Sequence, residues 1–271
     1  MEILGFAAAI CIGLILGLIG GGGSILTVPI LVYLFDVHPT LATGYSLFIV
    51  GITSLFGVYT KWKQHEVDVQ AALVFGLPSM LMVFSMRKWI LPLIPNPIFS
   101  IGEWTLSKSS SMMIFFAALM LLAALRMLKG ESKGAELSVG RGKDSWLSFQ
   151  LMIQGAMVGV LTGFVGVGGG FLIVPALVMF SKLPMKIAVG TSLLIIAVNS
   201  LFGFTGDLWT QGSQMNWMFL MLITVLSILG IVIGGRIAKR IETAILRQGF
   251  AWFVLLMGIV VSALEMSNLL K

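Results

Sequence analysis

Residues 17–57 recur 146 positions downstream, as residues 163–203, without a gap, and 18 of the 41 aligned pairs are identical. GLIGGGGSILTVPILV (17–32) lies over GFVGVGGGFLIVPALV (163–178), and ATGYSLFIVGITSLFG (42–57) lies over AVGTSLLIIAVNSLFG (188–203). Apolar composition alone does not set Gly20, Gly22, Gly23 and Pro29 over Gly166, Gly168, Gly169 and Pro175. The chain is a duplication, so its fold is one that two copies of the same unit build together.

The unit is made for lipid. Of the 271 residues 58% are hydrophobic and 10% charged, with mean hydropathy +1.04, where a soluble domain carries about a quarter charged residues. Apolar runs at 3–19, 41–59, 69–86, 111–128, 148–165, 186–204, 215–234 and 249–266 are each long enough to cross a bilayer, at about 20 residues per crossing. The expected class is an all-α polytopic membrane protein. The first run lacks a basic leading region and a cleavage site and reads as a retained helix. A pI near 9.6 reflects basic loops facing anionic lipid rather than nucleic acid. With Cys11 alone, no intrachain disulfide forms and no Cys-based metal or redox site is expected.

Two apolar runs, Ser24–Phe35 and Phe171–Phe180, follow the glycine clusters and are too short to span as straight helices. They decide the topology, because cytoplasmic loops collect Lys and Arg. If only the eight long runs cross, the basic residues divide eight against nine. If each short run pairs with the long run behind it as a hairpin, they divide thirteen against four. The hairpin count makes the halves inverted repeats, with both termini outside; parallel four-helix halves are the alternative. The units are then a first repeat at 1–128, a hydrophilic cytoplasmic linker at 129–147 and a second repeat at 148–271. Arg87–Ser111, with Pro92, Pro95, Pro97, Trp89 and Trp104, reads as an irregular interfacial loop.

Internal repeats with matching Gly/Pro-interrupted segments point to a transporter with its substrate site between the repeats. Glycine clusters at a helix break let backbone N–H groups approach an anion. Gly22, Gly23 and Ser24 in one half, and Gly168, Gly169 and Gly170 in the other, are therefore candidate substrate-binding residues; close helix packing is the competing use of such glycines. Thr43, Ser46, Thr191, Ser192 and Asn199 add hydroxyl and amide donors within apolar runs, Ser46 aligning with Ser192 and Thr53 with Asn199. No Lys or Arg falls in the middle of a clear run, which leaves Lys61, Lys63, Lys182 and Lys186 to supply charge at an entrance. The acids Asp36, Glu103, Asp207 and Glu265 fall at run ends and read as solvated, each also a candidate for a coupling proton. His38 reads as a turn residue.

An enzyme is disfavoured. HExxH, GxSxG and Walker A are missing, the glycine run does not follow a strand, and no metal or cofactor is expected. GFVGVGGGFLIVPAL (163–177), its copy GLIGGGGSILTVPIL, and the A-x-G-x-S-L segments at 42–47 and 188–193 resemble the sulfite exporter TauE/SafE family of membrane permeases. The first copy departs from the motif, with Gly21 and Ser24 where the second has Val167 and Gly170. The resemblance implies a multi-pass inner-membrane permease for small sulfur-containing or organic anions such as sulfite or sulfonates, driven by a proton or sodium gradient. A non-transporting membrane scaffold and an anion channel are the rival readings.

Overall fold

The computed structural model describes residues 2–21, 23–95, 99–101, 104–129, 145–165, 170–179, 181, 183–238 and 240–269. Among them ten helices form: α1 (Glu2–Ile19), α2 (Ser24–Leu34), α3 (Pro39–Trp62), α4 (Val69–Leu93), α5 (Lys108–Lys129), α6 (Ser145–Val165), α7 (Gly170–Met179), α8 (Met185–Gln211), α9 (Trp217–Ala238) and α10 (Thr243–Leu269). A two-stranded antiparallel hairpin, β1 (Phe99–Ile101) with β2 (Trp104–Leu106), joins α4 to α5. All eight long apolar runs are helices. Among the described residues α3, α4 and α9, together with Met185–Trp209 of α8, are long and apolar enough to cross a membrane; shorter apolar helices accompany them. Leu77, Leu81, Met218 and Leu256 are exposed on the outer faces, as lipid contact requires. The molecule is an all-helical polytopic membrane protein with one small hairpin.

Both short runs are short helices, as their lengths dictate. Ser24 is the first residue of α2 and Asp36–His38 the turn behind it, with Asp36 in the left-handed region at φ 54. Pro29 lies inside α2 rather than ending it, and the winding widens to a π turn over Ile30–Leu34. A second π turn, Met86–Ile90, precedes Pro92 in α4. The Pro92 ring removes one N–H and crowds the Lys88 carbonyl four residues back, and this second wider turn accommodates that. The expectation of an irregular loop from Arg87 is therefore corrected: the helix continues through Arg87 to Leu93.

The long helices pack through glycine. Gly13 and Gly17 of α1 press on the backbone of Ser227, Ile231 and Gly234 in α9, and Gly159 and Gly163, 146 positions later in α6, press on Ser79, Val83 and Met86 in α4. Numbers rise together along each pair, so α1 runs parallel to α9 and α6 parallel to α4. Such close backbone approach is how helices associate in lipid, where apolar burial drives little. At the centre, α3 and α8 run antiparallel: Gly44 near the start of α3 faces Asp207 near the end of α8, while Gly57 faces Leu193.

Candidate functional site

The glycine turn after α1 folds the chain back on itself. Gly20 takes φ +85, in the left-handed region that favours glycine, and Ser24 Oγ closes the turn by donating to the Gly21 carbonyl at 2.7 Å. A Cβ on Gly20 would stand 2.8 Å from Val189 Cγ1 and 3.2 Å from Ser192 Oγ, and one on Gly21 would overlap the Gly170 carbonyl. The turn of the first half thus meets the start of α7 in the second half, backbone on backbone, with α8 alongside. Gly23 faces elsewhere, onto the α1 backbone at Ile12 and Leu16, which is a packing role. Gly22, Gly168 and Gly169 lie outside the described residues, as do Lys182 and the linker at 130–144.

The hydroxyl and amide candidates are buried in α3 and α8, but not all are available. Thr191 Oγ1 accepts from the Asp68 amide at 2.9 Å and Ser192 Oγ donates to the Val189 carbonyl at 2.8 Å. Thr43 Oγ1 donates to the Thr40 carbonyl at 2.8 Å. Asn199 Nδ2 donates to Ser79 Oγ at 2.6 Å. By contrast the hydroxyls of Ser46, Thr53, Ser54 and Ser200, and Asn199 Oδ1, have no hydrogen-bond partner among the described residues. Buried polar atoms are almost always satisfied, and this unspent capacity lies at the crossing of α3 and α8. Ser54 and Ser200 are equivalent positions of the repeat, a signal available from the alignment; Ser79 is not aligned within it.

Two adjoining cavities open beside the glycine turn. One, of about 250 Å3, is lined by Gly17, Gly57, Lys61, Leu193 and Arg236 among others. The second, of about 290 Å3, is lined by Ile19, Lys61, Glu66, Lys186 and Val189 among others. Lys61 pairs with Glu66 at 2.6 Å; Lys186 and Arg236 leave the walls net positive. Val189 both lines the second cavity and touches the position of Gly20, so the basic space reaches the turn.

At the opposite end of α8 the structure corrects two further expectations. Asp207 is not solvated: it is 1% exposed and accepts from Arg87 NH1 at 2.8 Å, and Arg87 NH1 also donates to Thr43 Oγ1 at 3.1 Å. Arg87, itself 1% exposed, lies just past the apolar run 69–86, toward the end of the helical span Val69–Leu93. Glu265 is buried as well and accepts from Tyr33 Oη at 3.2 Å. Run-end positions read as solvated because hydropathy ignores neighbouring helices. Glu103 lies outside the described residues.

A helical membrane bundle with a buried polar crossing beneath a charged cavity is the architecture of a transporter. The family model described as "Sulfite exporter TauE/SafE" matches residues 5–261, and the chain belongs to that family. It is 32% identical over 259 residues to a "Probable membrane transporter protein" of Xylella fastidiosa strain Temecula1, covering 92% of this chain and 90% of that one. It is 28% identical over 260 residues to "Probable membrane transporter protein YunE" of Bacillus subtilis, covering 89% and 91%. A "Probable membrane transporter protein" of Methanocaldococcus jannaschii is 28% identical over 203 residues, 72% and 69% of the two chains. No solved structure matches. The chain is a membrane transporter.

Proposed function

We propose that this transporter is a secondary permease of small sulfur-containing or organic anions, such as sulfite or sulfonates, in the inner membrane, coupled to an ion gradient. The observation that carries the reading is the net-positive pair of cavities, walled by Lys61, Lys186 and Arg236, that reaches the Gly20 turn. A field of that sign concentrates anions at the mouth. The partnerless hydroxyls of Ser46, Thr53, Ser54 and Ser200 then offer donors to an oxyanion deeper in.

The same reading takes the halves as inverted repeats, moving one against the other about a site at their interface. Two observations support it. Equivalent helices α3 and α8 run antiparallel at the centre. Lys61, Lys186 and Arg236, which the eight-crossing count divides between two sides, share connected walls.

Thermal stability of the detergent-purified protein against sulfite, sulfate, thiosulfate, sulfoacetate, taurine and carboxylates tests the substrate class, since a ligand that prefers the folded state raises it. One sulfur oxyanion or sulfonate is expected to stabilise the protein and to enter proteoliposomes saturably, with dependence on a proton or sodium gradient. The double variant Lys186→Glu, Arg236→Glu is expected to keep its fold and lose most of that uptake. Equal uptake by the variant, or no response to any anion, would overturn the reading.

A further inference from the structure

We infer that Arg87 is an oxyanion-binding residue of the transport path, and that in this conformation the Asp207 carboxylate neutralises the positive charge that would hold the anion. The inference rests on the anion-transporter reading above.

A guanidinium carries five N–H donors in a planar fork shaped for two oxygens of one oxyanion. Here only NH1 is engaged, by Asp207 Oδ2 and Thr43 Oγ1. Nε and NH2 are buried and have no hydrogen-bond partner among the described residues. A buried pair kept for structure alone satisfies its remaining donors, because leaving them bare is costly. Asp207 instead leaves the Nε/NH2 edge of the fork unused.

The surroundings fit an exchangeable occupant. Arg87 sits on the π turn Met86–Ile90 that accommodates Pro92, and such turns are frequent at functional sites. Glycines of α3 and α8 flank the pair: a Cβ on Gly44 would stand 3.0 Å from Asp207 Oδ2, and one on Gly206 would stand 3.1 Å from Arg87 Cβ. Among the described residues, the charged and titratable groups near the pair are few. Lys108, at the start of α5, donates Nζ to the Leu91 carbonyl and lies close enough to Arg87 for their charges to repel. Lys88 is turned to the rings of Phe84, Trp89 and Trp209. Thr43 contributes a neutral hydroxyl from α3.

Carboxylate and oxyanion compete for one positive charge. When a proton, taken from the aqueous phase from which the anion enters, settles on an Asp207 carboxyl oxygen, the competitor loses its charge, its ion pair with Arg87 ends, and an entering oxyanion pairs with the guanidinium instead. Departure of the anion and of that proton restores the pair. One proton therefore accompanies each anion.

The test uses methanesulfonate and sulfate, which stay ionised between pH 5 and 8, as probes of thermal stability and proteoliposome uptake. In the wild type, affinity is expected to fall with rising pH by up to about tenfold per pH unit, the limit for one linked proton. Asp207→Asn is expected to bind at the tight, low-pH affinity throughout, with no pH slope. The neutral double variant Arg87→Gln, Asp207→Asn is expected to fold, judged by its melting transition without ligand, and to bind at least about tenfold more weakly than Asp207→Asn. A wild-type slope surviving in Asp207→Asn, or equal affinity in the single and double variants, would overturn this inference while leaving the anion-transporter reading standing. Wild-type protein that neither is stabilised by nor takes up either probe or the anions named above overturns both.

Discussion

Asp207 stands 146 positions after Lys61, at the equivalent place of the second half, and carries the opposite charge. Each is set against the equivalent glycine of the other half: Gly44 beside the Asp207 carboxylate, Gly190 beside Lys61 and the Glu66 carbonyl. Each is also in an ion pair, Asp207 with Arg87 and Lys61 with Glu66. The difference lies in wetting. The Arg87 and Asp207 side chains are 0% and 1% exposed, whereas those of Lys61 and Glu66 are 15% and 21% exposed and line a cavity.

That contrast sets the energetics of the two pairs. Removing one partner of a buried pair strands the other's charge, at a cost of about 3–5 kcal/mol, so Arg87→Ala is expected to lower the melting temperature of the purified protein sharply. Arg87→Gln with Asp207→Asn should recover most of the loss. Glu66→Gln, at the wetted pair, should cost under about 1 kcal/mol. A melting temperature for Arg87→Ala matching that of Glu66→Gln would contradict the burial argument.

The meeting of Gly21 with Gly170 leaves no room for a methyl group. Gly21→Ala is expected to force the two backbones apart and to cost about 1–3 kcal/mol, the usual penalty of overpacking. Gly249 offers the opposite case: it lies within α10 with no atom near its would-be Cβ. Gly249→Ala should stabilise by about 0.5–1 kcal/mol through helix propensity. Thermal unfolding of the two variants side by side reads both signs.

Polar groups at the crossing of α3 and α8 divide into spent and unspent. Ser79→Ala leaves the Asn199 amide without its acceptor and is expected to destabilise by about 1–3 kcal/mol. Thr53→Val removes a hydroxyl that has no partner among the described residues, so stability is expected to hold or rise. Its effect should appear in transport instead, as a raised KM in proteoliposomes. An unchanged KM for Thr53→Val and for Ser46→Ala would remove these hydroxyls from the binding site.

Attraction at the cavity mouth is long-ranged and screened by salt. Uptake at low substrate should therefore fall as ionic strength rises from about 0.01 M to 0.15 M, over which the Debye length shrinks from about 30 Å to about 8 Å. In the Lys186→Glu, Arg236→Glu variant that salt dependence should vanish or reverse. Initial rates measured at the two ionic strengths decide it.

Much of this was legible in the chain before any folding. The eight apolar runs became helices, three of which (α4, α8 and α10) extend six or seven residues past an expected end, since about 20 apolar residues in lipid have little option but an α-helix. Both short runs stayed short because a glycine cluster precedes each and a polar turn ends each. The repeat pointed to Ser46, Ser192 and Asn199, because duplication sets polar groups at a fixed offset; Ser54 and Ser200 stand at the same offset but were not singled out.

Only the tertiary structure decided which of these groups are occupied and which are not. Thr191 caps the approach to α4, Gly23 packs on α1, and Thr43 serves Arg87, all assignments made by neighbours more than ten residues away or by the direction a backbone faces. Arg87 and Asp207 were hidden for the same reason: each falls at the polar edge of an apolar run, where hydropathy along the chain reads solvent. Burial there comes from another helix, 120 positions distant, and a one-dimensional pattern carries no record of what packs across it.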